Sequence, residues 1–278
     1  MLPELLLEPL VRAALVEDLG PMGDATCRAV IPAGLTYDAR IAARRAGTAS
    51  GMRVAATAFR IVDPSLDVET LVQDGTAFDA GDVLMRISGN AASILMAERV
   101  ALNFAGRLCG IATLTSAFVA ETRGTEARIT CTRKTTPGLR AVEKEAVRHG
   151  GGANHRYGLS DAIMIKDNHI AAAGGIRPVL EAAKSARSHM MRLEIEVDTL
   201  EQLAEVLEIG GADVVLLDNM STADMAKAVD LAAGRMILEA SGNMALPRIA
   251  EVAATGVDYI SVGALTHSAP VLDLGLDL

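Results

Sequence analysis

Short hydrophobic runs recur along the second half of the chain, and each ends in a polar or glycine residue before a helix-like segment. The runs are ARITCTRK, DAIMIKDN, RLEIEVDT, DVVLLDN, MILEASGN and DYISVGAL. Within these runs, the polar or glycine residues that mark the strand ends are Lys134, Lys166, Glu196, Asp218, Ser241 and Gly263. Successive strand ends are therefore 32, 30, 22, 23 and 22 residues apart. Each interval holds one strand, one helix and two loops, which predicts repeated βα units with parallel strands. Because the runs are hydrophobic on both faces and no GxGxxG motif follows them, a (β/α) barrel is favoured over an open dinucleotide-binding sheet.

The first hundred or so residues have a mixed period. The opening MLPELLLEPLVRAALVEDLG interrupts its leucines with Glu4 and Glu8, so it predicts an amphipathic helix and not a signal peptide. Short apolar stretches such as YDARIAAR and VLMRIS are separated by Gly, Pro and Asp turns, which predicts a small α/β layer. One or two long helices are predicted over residues 92–121.

Composition limits the classes of partner. A net charge of -9 argues against a nucleic-acid partner, which would need a basic face. The three cysteines are an odd number without CxxC spacing, so we expect neither a disulfide framework nor a zinc ribbon, and a cytoplasmic location fits best. The longest conspicuous uncharged run, LCGIATLTSAFVA, has 13 residues, below the roughly 20 that a membrane-spanning helix needs, so no membrane association is expected.

The polar residues at the ends of the predicted strands are candidates for one active site. A charged residue at a single strand end is most simply explained by exposure to water. In a barrel, however, all carboxyl ends of the strands meet at one mouth. The series therefore predicts that these side chains share a pocket: Arg133, Lys134, Lys166, Glu196, Asp218 and Ser241.

Cations are concentrated in residues 132–170 of this acidic protein, where they include Arg133, Lys134, Arg156 and Lys166. Partly buried cations need anionic partners, and these loops contain no equal set of carboxylates. A mixture of arginine forks and lysine point charges suits a ligand with several carboxylate or phosphate groups. The remaining basic residues are interpreted as the solvated face of a helix that the GGG run ends: Arg140, Lys144, Arg148 and His149.

Glu196 and Asp218 end consecutive predicted strands and leave three possibilities open: an acid/base pair, a glycosidase pair, or ligands for Mg²⁺. The Mg²⁺ interpretation agrees best with the cationic neighbours, and the absence of Trp disfavours a sugar site. Ser241-Gly242-Asn243 and Gly263-Ala264 follow the last two strands. They predict either a phosphate-binding loop pair or ordinary turns, with neither clearly preferred.

A family resemblance resolves several of these alternatives. The segments TRKTTPGLR, GGGANHRYGL, IKDNHI, EIEVDT, LLDN, EASGN and TGVDYISVGALTHS closely resemble the quinolinate phosphoribosyltransferases, also called carboxylating nicotinate-nucleotide pyrophosphorylases. The resemblance covers nearly the whole chain. It implies an α/β protein with an N-terminal α/β sandwich domain over residues 1–110, an incomplete (β/α) barrel domain over residues 111–265, and a tail over residues 266–278 that returns to the N-terminal domain.

The resemblance also implies an enzyme of NAD biosynthesis, a pentosyltransferase. It would join quinolinate to phosphoribosyl pyrophosphate in the presence of Mg²⁺ and yield nicotinate mononucleotide, pyrophosphate and CO₂. The family forms homodimers or hexamers of dimers in which subunits share active sites. The implied quinolinate ligands are Thr132, Arg133, His155, Arg156 and Lys166, with Arg99 from the partner subunit. The implied catalytic residues are Lys134, Lys166, Glu196 and Asp218. All four would also bind substrate, and Glu196 and Asp218 would bind the metal. The implied 5-phosphate ligands are Ser241, Gly242, Asn243, Gly263 and Ala264.

Two alternatives remain at this point. A paralogous branch of the family is associated with molybdenum transport and shares the TRKT and HR segments, but the complete run Lys166–His169 favours the quinolinate enzymes. A non-catalytic anion-binding barrel would be expected to lose Glu196 or Asp218 while keeping its cations. Both carboxylates are present.

Overall fold

The computed structural model describes residues 2–278. Its elements are α1 (Glu4–Leu19), α2 (Ala25–Val30), β1 (Thr36–Ala43), β2 (Gly47–Thr48), α3 (Met52–Val62), β3 (Asp67–Thr70), β4 (Ala77–Phe78), β5 (Val83–Asn90), α4 (Ala91–Ala120), β6 (Arg128–Thr130), α5 (Arg140–His149), β7 (Ile163–Ile165), α6 (Asp167–Ala173), α7 (Ile176–Ala186), β8 (Leu193–Val197), α8 (Leu200–Ile209), β9 (Val214–Asp218), α9 (Thr222–Ala232), β10 (Ile237–Ser241), a short 3₁₀ helix (Leu246–Arg248), α10 (Ile249–Ala253), β11 (Tyr259–Ser261), α11 (Ala264–His267) and β12 (Leu274–Asp277).

The chain divides into two compact units. The first contains the residues up to Ser116 together with Thr135–Gly151 and Ser268–Leu278, and the second contains Ala117–Lys134 and Gly152–His267. Residues 135–151, which the sequence placed in the barrel domain, therefore group with the first unit. The physical reason lies in α5, where the fully buried Glu143 pairs with Arg107 of α4 at 2.9 Å.

The first unit is built around a four-stranded antiparallel sheet with the order β12-β1-β5-β3. The C-terminal strand β12 completes one edge by pairing Leu274–Asp277 with Ala43–Arg40 of β1. Helix α1 buries residues four positions apart, namely Leu7, Val11 and Leu15, as an amphipathic helix does.

Helix α4 is one continuous helix of 30 residues, in the region where the sequence predicted one or two long helices. By length and composition it could cross a membrane, although 61% of its most apolar stretch is buried inside the protein. Burial of this kind is typical of a core helix. Phe104, Leu108 and Ile111 are among its buried side chains.

The second unit contains a six-stranded parallel sheet with the order β6-β11-β10-β9-β8-β7. Helices follow the strands along the chain, as in βα units, and Thr130 of β6 makes a further parallel bridge to Ala153. This is the α/β arrangement of an incomplete βα barrel, and the predicted fold class is confirmed. Strand β6 is shorter than its hydrophobic run, because it ends at Thr130 and leaves Lys134 in the following turn.

Candidate active site

The strand register places the predicted strand-end residues on one face of the second unit's sheet. Residues that pair directly across parallel strands point to the same face, and so does every second residue along a strand. Ser241 pairs with Asp218, and Glu196 pairs with Leu216, two residues before Asp218. Glu196, Asp218 and Ser241 therefore share a face, and Lys166 joins them through an ion pair with Glu196.

At the other edge of this sheet, Lys134 lies beside Gly263. A Cβ atom added to Gly263 would lie 3.2 Å from Lys134 Cδ, so the lysine stem passes directly over the glycine. Two hydrogen bonds hold this turn, because the Lys134 N–H donates to Thr132 Oγ1 at 3.0 Å and Thr266 Oγ1 donates to the Lys134 carbonyl at 2.7 Å. Thr132 thus has a structural contact of its own in addition to its predicted contact with substrate.

Arg133 and Arg156 each carry a buried guanidinium nitrogen that lacks a partner. Among the described residues, buried side-chain atoms without a hydrogen bond include Nε of both arginines. Arg156 Nη1 is fixed by donation to the Ala162 carbonyl at 3.2 Å. Burial, followed by the positive charge of Arg133, lowers the pKa of Arg156 from its usual value. Two neighbouring cations with unused buried donors form a site that an anion would neutralise.

His155 lies between two buried glutamates of the sheet. Its Nε2 is 3.0 Å from Glu194 Oε2 on β8 and 3.6 Å from Glu239 Oε1 on β10. Burial and the neighbouring Glu194 carboxylate raise the pKa of Glu239 to about 7, and His155 acts in the opposite direction. On the other side of the ring, the backbone N–H of Arg156 donates to His155 Nδ1 at 2.9 Å.

The two carboxylates predicted to bind metal are held by neighbouring polar groups. Glu196 is ion-paired with Lys166, and Asp218 Oδ2 accepts a hydrogen bond from Asn219 Nδ2 at 2.7 Å. Both carboxylates lie at the carboxyl ends of neighbouring parallel strands on the same face. Paired oxygen ligands without nitrogen or sulfur are the donor set that Mg²⁺ prefers, so these residues fit the ion.

The Ser241-Gly242-Asn243 loop has an unusual backbone. Gly242 has φ +92° and Asn243 has φ +49°, so the loop uses left-handed conformations. Asn219 braces it, because its N–H donates to the Ser241 carbonyl at 3.0 Å and its Oδ1 accepts from Asn243 Nδ2 at 3.3 Å. Arg248 adds a bond from Nη2 to the Met220 carbonyl at 2.8 Å.

The remaining predicted site residue, Arg99, belongs to the first compact unit, whereas the other predicted ligands belong to the second. It lies on α4, and 64% of its side chain is exposed. Its ion pair with the adjacent Glu98 is long, at 4.0 Å. The side chain is therefore available at the surface of its own unit.

Sequence reasoning missed three residues of this region: Glu194, Glu239 and Asn219. Glu194 and Glu239 stand two residues before Glu196 and Ser241, so the two-residue period of a strand could have placed them on the same face. The interpretation of Lys144 as solvated was wrong, because only 3% of Lys144 is exposed. The end of α5 at the glycine run was correctly expected. The burial of its side chains, however, depends on residues that are distant in sequence.

Comparison with known proteins gives the family of this chain. The family model for the N-terminal domain of quinolinate phosphoribosyl transferase matches residues 24–109, and the model for its C-terminal domain matches residues 111–277. The chain belongs to the quinolinate phosphoribosyl transferase family. These matches confirm the family resemblance in both the N-terminal and the C-terminal part of the chain.

Individual relatives cover almost the whole chain. It is 43% identical to the nicotinate-nucleotide pyrophosphorylase (carboxylating) of Mycobacterium leprae, over 96% of this chain and 95% of the relative. It is also 43% identical to the mitochondrial quinolinate phosphoribosyltransferase (decarboxylating) 2 of Nicotiana glauca, over 98% of this chain and 82% of the relative. The solved structure of the Francisella tularensis nicotinate-nucleotide pyrophosphorylase superposes with a TM-score of 0.95 at 38% identity, covering 100% of this chain and 97% of that one.

Proposed function

We propose that this chain transfers the phosphoribosyl group of phosphoribosyl pyrophosphate to quinolinate, with decarboxylation, to give nicotinate mononucleotide, pyrophosphate and CO₂. The proposal is carried by the buried, unpartnered Nε donors of Arg133 and Arg156, in a unit whose sheet also presents Glu196 and Asp218 at its strand ends. Few ligand pairs would use both the arginine donors and the strand-end carboxylates. A dicarboxylate acid supplies charge for the arginines, and a pyrophosphorylated sugar is bound through carboxylates with Mg²⁺.

Quinolinate is assigned to Arg133, Arg156 and Lys166. Its two carboxylates would accept hydrogen bonds from the arginines, whose buried Nε donors have no protein partner, and arginine binds a carboxylate through two parallel N–H donors. Thr132 lies in the adjoining turn. His155 belongs to the set that the resemblance implies, yet both of its ring nitrogens already contact protein atoms.

The phosphoribosyl donor is assigned to residues that follow the inner strands β8 to β11 on the same face, together with Lys134 beside Gly263. Ser241, Gly242, Asn243, Gly263 and Ala264 would approach the 5-phosphate through backbone N–H groups, and Lys134 would lie near the donor's phosphates. Glu196 and Asp218 would hold Mg²⁺, which when bound offsets the charge of the departing pyrophosphate. Glu196 or Asp218 also stabilises the positive charge that develops at the sugar carbon as its bond to pyrophosphate breaks.

The reaction needs no organic cofactor. The pyridine nitrogen of quinolinate attacks the sugar carbon as the bond to pyrophosphate breaks. The adjacent carboxylate then leaves as CO₂, its bonding pair stays on the ring carbon next to the positively charged nitrogen, and a proton is added to that carbon. The role of Arg133, Arg156 and Lys166 is to hold the dicarboxylate in the orientation that aims its nitrogen at the donor.

We further propose a homo-oligomer, dimer or hexamer, in which Arg99 reaches the site of the partner subunit. Its exposed side chain and its position in the first compact unit support this role. A cytoplasmic location is proposed because Cys27, Cys109 and Cys131 form no disulfide.

The proposal is tested by incubating purified protein with quinolinate, phosphoribosyl pyrophosphate and Mg²⁺, and following quinolinate by absorbance and the product by mass. Quinolinate should be consumed only when all three are present. Omitting either Mg²⁺ or the donor serves as the control. A protein of the molybdenum-associated branch, or a non-catalytic anion-binding barrel, would leave quinolinate unchanged in the complete mixture.

A further inference from the structure

We propose that His155 is a positioning residue held by Glu194 and Glu239, and that it fixes the main chain of Arg156 instead of binding quinolinate itself. The inference rests on the proposed function only for the identity of the substrate. The contacts that carry it are internal to the second compact unit.

The hydrogen bonds around the imidazole define its protonation. A backbone N–H can only donate, so the 2.9 Å bond from the Arg156 N–H requires a lone pair on His155 Nδ1. The 3.0 Å contact between Nε2 and Glu194 Oε2 then needs one proton between them, and with Glu194 as the carboxylate that proton is on Nε2. The ring is therefore the neutral tautomer that carries its proton on Nε2. Both nitrogens are engaged, and neither is left to donate to a substrate carboxylate.

The glutamates explain why this ring is held firmly. Only 6% of Glu194 and 4% of Glu239 is exposed, and they lie on β8 and β10, with β9 between them. The ring contacts a glutamate on each of these two strands through Nε2. Through Nδ1 it contacts the backbone N–H of Arg156, so it connects the sheet to the main chain of that arginine. The Oε1 atom of each glutamate has no hydrogen-bond partner. His155 Nε2 lies 3.0 Å from Glu194 Oε2 and 3.6 Å from Glu239 Oε1, and the Ser261 side chain also interacts with Glu239.

The Arg156 guanidinium is positioned from both of its ends. His155 fixes its backbone N–H, and the Ala162 carbonyl accepts from Nη1 at 3.2 Å, while its buried Nε has no protein partner. A donor that is held in place before the ligand arrives loses less conformational freedom on binding. The affinity of the arginine for a carboxylate would thus depend on the histidine indirectly.

A direct test uses nitrogen NMR of protein labelled with ¹⁵N-histidine, which distinguishes protonated from unprotonated ring nitrogens. The His155 signals are assigned by their loss in His155→Gln. We expect Nδ1 to be unprotonated and Nε2 to be protonated at neutral pH, and this state to persist when quinolinate is added without the donor. A charged ring, a proton on Nδ1, or a change of tautomer with quinolinate would overturn the proposal. Since the free protein already gives the answer, this test stands even if the proposed reaction fails.

Kinetics provide an independent test through a double-mutant cycle. His155→Gln keeps a donor toward Glu194 but loses the acceptor for the Arg156 N–H. We expect the KM for quinolinate to rise about tenfold, which corresponds to loss of one hydrogen bond, with the KM for the donor unchanged. In an Arg156→Ala background the same change should have almost no further effect on the KM for quinolinate, because the guanidinium that His155 positions is absent. A histidine that contacts quinolinate itself would instead give additive effects, and additivity would refute the positioning role.

His155→Asn is the matched variant, because its short side chain keeps an oxygen near the Nδ1 position and loses the reach to Glu194. Partial recovery of the quinolinate KM relative to His155→Gln is expected, since the Arg156 N–H regains an acceptor. A KM for His155→Asn above that of His155→Gln would show that the bond to Arg156 is not the one that matters.

Discussion

The substitution Gly242→Ala tests the phosphate loop most sharply, because a second glycine separates its two effects. Gly242 has φ +92° and Gly124 has φ +85°, and both lie in the second compact unit. Alanine at either position adopts a backbone conformation that costs L-residues about 1–2 kcal/mol. A Cβ atom at Gly124 has nothing within 4 Å, whereas one at Gly242 would overlap Asn219 Oδ1 and lie 2.9 Å from the Asn219 backbone nitrogen.

The extra cost at Gly242 follows from the displaced Asn219 side chain. It would lose its bond to Asp218 Oδ2 at 2.7 Å and the bond it accepts from Asn243 at 3.3 Å. Both bonds are exposed to solvent, so water replaces part of their strength, and a net loss of about 2 kcal/mol beyond that of Gly124→Ala is expected. Since Asp218 is the proposed metal ligand, catalysis should suffer as well.

The assay compares urea unfolding and the KM for phosphoribosyl pyrophosphate in the two variants. Gly124→Ala should lose about 1–2 kcal/mol of stability and keep the KM of the unmodified protein. Gly242→Ala should be less stable and show a KM for the donor at least about tenfold higher, with little change in the KM for quinolinate. Equal stability losses and unchanged KM values in both variants would refute the role assigned to Asn219 and the loop.

Three further predictions concern charge. Arg133→Ala should weaken quinolinate binding by roughly ten- to a hundredfold in calorimetric titration, because a charged hydrogen bond to a carboxylate is lost, while donor binding stays the same; equal weakening of both would mean that Arg133 is misplaced. Mixing inactive Arg99→Ala and Lys166→Ala subunits should restore part of the activity if sites are shared, and no recovery after exchange of subunits would argue against a contribution from the partner. Glu239 has a pKa of about 7 in the folded protein, above its ordinary value of 4.5, so the unfolded chain releases this proton first and stability should fall as pH rises from about 4.5 to 7. The free energy of unfolding of Glu239→Gln, measured in urea relative to the unmodified protein, should therefore increase by up to about 3 kcal/mol from pH 5 to pH 8. A constant difference across that range would contradict the assignment.

The parallel strands of the barrel could be predicted because their signal is local. Each hydrophobic run ends in a polar residue at a regular interval, and β8, β9 and β10 end within a residue of Glu196, Asp218 and Ser241. The two-residue period of a strand then fixes which side chains share a face. For this reason the spacing alone indicated a common site, although only the family resemblance identified its substrates.

Burial of charged groups could not be predicted in the same way, because it depends on contacts between residues far apart in sequence. Lys144 has the sequence context of an exposed helix residue, yet it is buried with Glu143 on α5. His155 resembles a substrate ligand in its motif, but its partners Glu194 and Glu239 come 39 and 84 residues later. Nothing in the local pattern around His155 indicates those carboxylates.

The most direct test of the central claim is a single-turnover reaction with quinolinate labelled with ¹³C at the carboxylate beside the ring nitrogen, phosphoribosyl pyrophosphate and Mg²⁺. One equivalent of labelled CO₂ and one of unlabelled nicotinate mononucleotide per active site are predicted, with no label released when the donor is omitted. Label retained in the pyridine product, or no product at all from folded protein, would contradict the proposed reaction.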